Sequence, residues 1–317
     1  MARILITRPL PERVMEAAYA LGDIELREST APMKPGEMRA ALAIFDAVLP
    51  TLGDMFSAEV FAEVPHPRAK LLANFGVGYN HIDVEAARAV GVAVTNTPGA
   101  VTDATADIAL TLILMSCRRA GEGERLVRAG KWTGWHPIQM LGQHVTAKTV
   151  GIIGMGRIGQ AVARRCHHGF GMEVVAFNRS PIETDLPVRQ VATLADLAAA
   201  ADVAVVAVPG GPETRHLIGA EFFAAMKPSA HIVNIARGDV VDEVALVAAL
   251  QTGQIAGAGL DVYEFEPKVP QALMRMDNVT LLPHLGTAAL EVREAMGMMA
   301  VDNIRAHLAG ETLPNVV

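Results

Sequence analysis

Short runs rich in Val, Ile, Leu and Ala alternate along the chain with stretches whose apolar residues recur at helical spacing. In the first third, Arg3–Thr7, Ile24–Arg27, Ala47–Pro50, Lys70–Asn74 and Val92–Asn96 read as strands. Pro11–Leu21 and Val84–Val90 read as helices, the second stopped by Gly91. Strands joined through helices make parallel sheets covered on both faces, so this third predicts a small doubly wound α/β sheet.

The rhythm then changes. Asp103–Arg119 reads as one helix with apolar positions all round, which predicts a buried element. A less regular stretch, 121–148, carries both tryptophans, Trp132 and Trp135. Alternation resumes with the strands Thr149–Ile153, Glu173–Phe177, Val203–Val208, His231–Ile235, Gly257–Val262 and Val279–Leu282, and the chain closes on a long helix, Ala288–Leu308. The expected fold is α/β: two doubly wound parallel-sheet domains.

Composition narrows the function. The 317 residues are 51% hydrophobic and only 4% aromatic, which suits an aliphatic α/β core. A net charge of −7 and the lack of a basic cluster argue against nucleic acid, whose binding depends on counterion release. The start shows no signal-peptide pattern and no apolar run is long enough for a membrane span, so a cytoplasmic protein is expected. Cys117 and Cys166 have no metal or redox spacing and read as small buried thiols; His167-His168 has no further ligand at useful spacing and reads as surface, so no metal is expected.

The sharpest local signal is Gly154-Met-Gly156-Arg157-Ile158-Gly159, which follows an apolar strand and opens a helix. That context turns a weak glycine pattern into a dinucleotide fingerprint. Gly154 makes the tight turn, Gly156 admits the pyrophosphate to the backbone, and Gly159 lets helix and strand pack closely. NAD-specific sites place a carboxylate at the end of the next strand, to bind the ribose 2′-hydroxyl. Here Asn178-Arg179-Ser180 stands instead. With no carboxylate to repel a 2′-phosphate and Arg179 able to pair with one, NADP(H) is expected to be preferred, with NAD(H) possible. A solvated Arg179 in an enzyme accepting either cofactor is the plainer alternative.

Three later strand ends each carry an ionisable residue: Arg237 in Val233-Asn-Ile235-Ala236-Arg237-Gly238, Asp261 and Glu266 in Gly259-Leu-Asp261-Val-Tyr-Glu264-Phe-Glu266-Pro267, and His284 in Leu282-Pro-His284-Leu-Gly286. Ligands of open α/β sheets bind beyond the carboxyl ends of the strands, so these groups should face the nucleotide. Histidine is suited to proton transfer near neutral pH, a carboxylate beside it favours the imidazolium, and arginine matches a carboxylate with a planar fork. Each also has a bland reading: a turn histidine, a solvated loop acid, a strand-terminal aspartate.

Together with Gly76-Val77-Gly78-Tyr-Asn-His-Ile-Asp83, Asn96-Thr-Pro-Gly, Thr102-Asp-Ala-Thr105-Ala-Asp107 and Leu313-Pro-Asn, these motifs resemble the D-isomer-specific 2-hydroxyacid dehydrogenases over essentially the whole chain, nearest the glyoxylate/hydroxypyruvate reductase branch. The resemblance implies that Arg237 binds the substrate carboxylate, His284 is the acid/base and Glu266 its partner, with Glu264 the competing acid. It implies that the Val77-Gly78 backbone also holds the carboxylate, and that a discontinuous flavodoxin-like substrate domain, residues 1–99 with 286–317, encloses in sequence a Rossmann NAD(P)-binding domain of residues 100–285. Cofactor contacts are implied for Thr105, Gly154, Gly156, Arg157, Ile158, Gly159, Asn178, Arg179, Ser180, Val208, Pro209, Thr214, Ile235, Ala236, Asp261, His284 and Gly286. It further implies a homodimer, with the Asp103–Arg119 helix and the Trp132 region between subunits; Trp132 and Trp135 lie in the segment that reaches the partner in that branch, with plain interface or core packing the alternative. The expected reaction is NADPH-driven reduction of glyoxylate or hydroxypyruvate to a D-2-hydroxy acid. Rival readings are a phosphoglycerate-dehydrogenase-like enzyme, whose long forms carry an appended domain, and a nucleotide-sensing binding protein of the same fold. His231, where the family's strand usually starts apolar, predicts a strand less buried there.

Overall fold

A parallel sheet covered on both faces needs apolar residues at nearly every strand position rather than at alternate ones. The computed structural model, which describes residues 2–317, meets that condition on the inner strands of two units. The first comprises residues up to Val101 with Ala288–Val317. Its strands are β1 (Arg3–Ile6), β2 (Asp23–Leu26), β3 (Ala47–Leu49), β4 (Leu71–Ala73) and β5 (Ala93–Thr95), all parallel in the flavodoxin-like order β2-β1-β3-β4-β5. Val48 and Leu72 look into one core and Ile4, Ile6, Leu49 and Leu71 into the other. The terminal helix Leu290–Ala309 closes the second core against β4 and the helix Glu12–Tyr19. It approaches so closely that a Cβ on Gly297 would stand 2.5 Å from Val14.

The second unit, Thr102–Thr287, holds β6 (Thr149–Ile153), β7 (Glu173–Phe177), β8 (Val188–Gln190), β9 (Val203–Val206), β10 (His231–Asn234), β11 (Gly257–Leu260) and β12 (Val279–Leu281). They form one parallel sheet in the order β12-β11-β10-β9-β6-β7-β8. The chain reverses direction across the β6–β9 neighbours, the switch point of a Rossmann sheet, where ligands bind beyond the strand ends. Aliphatic cores fill both faces.

Three expectations need correction. The strand β8 is not legible as a strand, because it is three residues at the sheet edge, Val-Arg-Gln, with two of them exposed. The helix read as Asp103–Arg119 runs Thr102–Cys117, and Arg119 at φ 54° starts a separate helix, Ala120–Arg128. It is also not buried all round: Leu112 and Ile113 are enclosed, but Asp107 and Thr111 are exposed and Leu110 and Leu114 half-exposed. Finally, His231 is buried, not open. The helix Thr102–Cys117 covers this end of β10 and offers Ser116, whose Oγ lies 2.7 Å from His231 Nδ1, so the polar ring is enclosed with a partner. Burial drives its pKa down to about 4.

Cys117 and Cys166 are both buried, and burial pushes each thiol up to about 12. His167 Nδ1 lies 3.1 Å from the Met172 carbonyl, and among the described residues no His, Cys, Asp and Glu group is arranged to hold a metal. No described helix is long and apolar enough to cross a membrane.

Candidate active site

The site is built from the carboxyl ends of β12, β11, β10, β9 and β6, which lie side by side and all point the same way. At β6 each fingerprint glycine has its own steric reason. Gly154 turns at φ 97°, and a Cβ there would stand 2.8 Å from Val208 and 2.9 Å from the Ala207 carbonyl. A Cβ on Gly159 would stand 2.0 Å from the Gly154 carbonyl, so the helix cannot pack on the strand with any side chain there. Gly156, at the head of the helix Arg157–Phe170, has nothing within 4 Å of where a Cβ would be. Such open space at a helix start, beside unpaired N–H groups, fits a dinucleotide pyrophosphate. Arg157 and Ile158 form the first turn of that helix.

Beside the cradle, Asn178 is spent on structure. Its Oδ1 accepts the Met155 N–H (3.2 Å) and its Nδ2 donates to the Ser180 carbonyl (3.0 Å), tying the end of β7 to the glycine turn. Arg179 already has a carboxylate partner that the sequence pattern did not reveal: its Nη1 lies 2.6 Å from Glu213 Oε2. Both side chains are more than three-quarters exposed, so this pair is weak and easily exchanged for another anion. Beyond β9, Val208 and Pro209 lead into a loop where Thr214 Oγ1 donates to the Pro209 carbonyl at 2.8 Å.

Arg237 follows β10 and is aimed by Asn234, a fully buried residue absent from the expected set. Asn234 Oδ1 accepts the Ala236 N–H (3.0 Å) and its Nδ2 donates to the Arg237 carbonyl (2.9 Å), while Ile235 and Ala236 pack into the unit's two cores. The Arg237 stem lies against Gly210, where a Cβ would stand 2.6 Å from its Cγ. Burial lowers the Arg237 pKa, opposed by the charges of Glu266 and Asp239. Gly238 is pressed against the Tyr263 carbonyl, 1.8 Å from where a Cβ would be, so the Arg237 loop and the Glu266 turn are in backbone contact.

His284 sits after β12 in the left-handed region at φ 55°, a conformation that needs support in a non-glycine residue. Asp261 supplies it. Its carboxylate accepts the Leu285 N–H (2.6 Å) and the Gly286 N–H (2.8 Å), and its carbonyl accepts the His284 N–H (2.9 Å). Burial raises the Asp261 pKa and those N–H bonds only partly offset it. Thr105 Oγ1 donates to the Gly286 carbonyl at 3.2 Å, holding the same turn from the other side. Both Asp261 and Thr105 are buried, so each serves the His284 turn whatever else it touches.

His284 Nδ1 is 2.9 Å from Glu266 Oε2, and Glu266 Oε1 accepts the Tyr263 N–H at 3.1 Å. Burial alone would raise the Glu266 carboxyl, but the bond and charge of His284, the Tyr263 N–H and the Arg237 charge outweigh it and hold it below its ordinary value. Glu264 makes no such pair with His284; it bonds Arg215 and His216 instead. Of the two acids, Glu266 is the one that reaches His284. In the first unit, Val77 and Gly78 follow β4 on a loop whose carbonyls are tied back by Asn96 (2.8 Å to Val77) and Asn74 (3.0 Å to Gly78).

A glycine cradle and a His–carboxylate pair lie at the ends of strands of one sheet, and residues 110–286 match the D-isomer specific 2-hydroxyacid dehydrogenase, NAD binding domain. The chain belongs to this family. It is an NAD(P)-dependent oxidoreductase. Among relatives of this dehydrogenase, the glyoxylate reductases of Thermococcus onnurineus and Korarchaeum cryptofilum are 41% and 42% identical, over 99% of this chain and 95% of theirs. Among solved structures, the TT0316 protein of Thermus thermophilus has a TM-score of 0.92 at 40% identity, covering 99% of both chains. An NADPH-dependent glyoxylate/hydroxypyruvate reductase of Sinorhizobium meliloti, solved with NADP and malonate, has a TM-score of 0.85 at 37% identity, covering 100% of this dehydrogenase and 96% of that chain.

Proposed function

We propose that this dehydrogenase reduces glyoxylate and hydroxypyruvate to D-2-hydroxy acids, preferring NADPH, with His284 as acid/base, Glu266 as its partner and Arg237 as carboxylate binder. The observation that carries the reading is the 2.9 Å pair between His284 Nδ1 and Glu266 Oε2, within reach of the Arg237 charge. A nicotinamide cofactor held at Gly154, Gly156 and Gly159 would supply the hydride that the keto carbon needs. Arg237 holds the 2-keto acid by its carboxylate and draws electron density from the carbonyl. With Nδ1 committed to Glu266, the Nε2 atom of His284 is left to give its proton to the carbonyl oxygen as that oxygen gains charge. The anionic Glu266 stabilises the ring while it carries the proton and fixes its orientation. In the reverse direction the same nitrogen takes the hydroxyl proton.

Asn178, Arg179 and Ser180 support an NADPH preference by the absence of a carboxylate at the end of β7 and by the exposed, weakly held charge of Arg179. The relative solved with NADP supports it further. Val77 and Gly78 are the first unit's candidates for carboxylate binding, on the chemistry of their N–H groups. A homodimer is part of the same reading, supported by Trp132, Trp135, Ile138 and Leu141, all exposed on this chain.

The test is NADPH oxidation by the purified protein with glyoxylate and with hydroxypyruvate. Turnover is expected with both, and His284→Ala should lose about 10²–10⁴-fold in kcat. No turnover with either acid would reject the assignment.

A further inference from the structure

We propose that Glu264 is a positioning residue, anchoring the loop 209–217 to the turn that carries Glu266. The proposal rests on the acid/base reading of Glu266 given above. Glu264 is two residues from Glu266, and its side chain is only 9% exposed. Its Oε1 lies 2.9 Å from Arg215 Nη2 and 3.0 Å from His216 Nε2. Its backbone N–H is held by Glu243 Oε1 at 3.0 Å, at the start of the helix Glu243–Gln251. Glu243 is buried, and burial together with the charges of Glu264 and Glu266 pushes its carboxyl above the ordinary value.

Three carboxylates therefore crowd one turn, an arrangement that repulsion and burial both oppose. The partners that offset Glu264, the Arg215 guanidinium and the His216 ring, come from the loop on the far side. That loop meets the rest of the site at three further points. Glu213 pairs with Arg179, Gly210 lies under the stem of Arg237, and the His216 N–H donates to the Asp239 carbonyl at 2.7 Å. His216 is held at φ 50°, strained for a histidine. One loop thus touches the residue assigned to the 2′-phosphate and the residue assigned to the substrate, and Glu264 fastens it to the residue that orients His284. Glu264 thus joins the cofactor side to the acid/base pair through side chains, beside the backbone contact of Gly238 with Tyr263.

The experiment is a double-mutant cycle of Glu264→Ala and Arg215→Ala, with Glu264→Gln and Glu266→Gln alongside. Each is assayed for glyoxylate reduction across pH, for the KM of NADPH and for melting temperature. Glu264→Ala should lose about tenfold in kcat, since small misplacement of a reacting group is costly. It should move the alkaline limb of reduction in the same direction as Glu266→Gln, and raise the KM of NADPH. Glu264→Gln, which keeps an acceptor, should recover most of the loss. The double variant should be no worse than Glu264→Ala alone. Losses that multiply, or a Glu264→Ala enzyme within about twofold of the parent in kcat, limb and KM while Glu266→Gln does shift, would overturn the anchor. If Glu266→Gln itself moves nothing, the acid/base reading fails instead, and the anchor stands or falls on the cycle in the KM of NADPH. Should Glu264→Ala not fold, Arg215→Ala with His216→Ala, on more exposed side chains, carries the same test.

Discussion

Glu264 and Glu266 differ by two positions and by nothing in chemistry, yet only one reaches His284. The residue types proposed for acid/base work and carboxylate binding could be picked out in the sequence because histidine, arginine and a carboxylate each stand at a strand end. Partners contributed by distant loops could not. Glu213 lies 34 residues from Arg179, and no local pattern joins them. The pair has a consequence for cofactor choice. Arg179→Ala should shrink the NADPH-over-NADH preference about tenfold with little change for NADH, because an exposed charged bond to phosphate is worth little more than that. Glu213→Gln should tighten NADPH and leave NADH alone, since it frees Arg179 and removes a competing anion. Titration of both cofactors against both variants checks this, and an unchanged ratio in Arg179→Ala would place the 2′-phosphate elsewhere. Arg237→Ala should raise the KM for glyoxylate as well as lower kcat, since the residue is assigned to both carboxylate binding and carbonyl polarisation. A fall in kcat with KM untouched would remove the carboxylate role.

Long strands with uniform apolar character, such as β6, β7 and β9, stood where periodicity placed them, because burial on both faces demands that pattern. The edge strand β8 escaped because an edge needs no such run. The fate of His231 depended on what lies across from it, which one strand cannot disclose. The helix Thr102–Cys117 brings Ser116 to within 2.7 Å of the ring, and the ring stays neutral in the fold until about pH 4. An unfolded histidine takes up its proton near pH 6.5. Stability is therefore undiminished above that value and falls as pH drops from there toward 4, because only the unfolded chain gains the proton. By about pH 5 the loss should reach about 2 kcal/mol. His231→Leu should flatten that part of the acid profile, with Ser116 turning to a helix carbonyl. Denaturant unfolding at about pH 7 and about pH 5 reads the difference. An equal drop in parent and variant would mean that other groups set the acid limb.

Alternation alone predicted two parallel α/β sheets, and the structure has them, in flavodoxin-like and Rossmann order. Periodicity does not say what covers an apolar surface once the chain has folded. The half-exposed Leu110 and Leu114 and the exposed Trp132 and Trp135 are surfaces of that kind, and large aromatic side chains are enriched where subunits meet. Light scattering at micromolar concentration should find a homodimer, and a stable monomer would reject it. The claim that joins these parts is proton transfer by His284 under the control of Glu266. The measurement that tests it is the pH dependence of kcat for glyoxylate reduction in the parent enzyme and in Glu266→Gln. Reduction needs a protonated ring, so the parent should decline at high pH. Removing the anion 2.9 Å from the ring should move that decline to lower pH while NADPH binding is kept. An alkaline limb that stays in place in the Glu266→Gln enzyme would contradict the account.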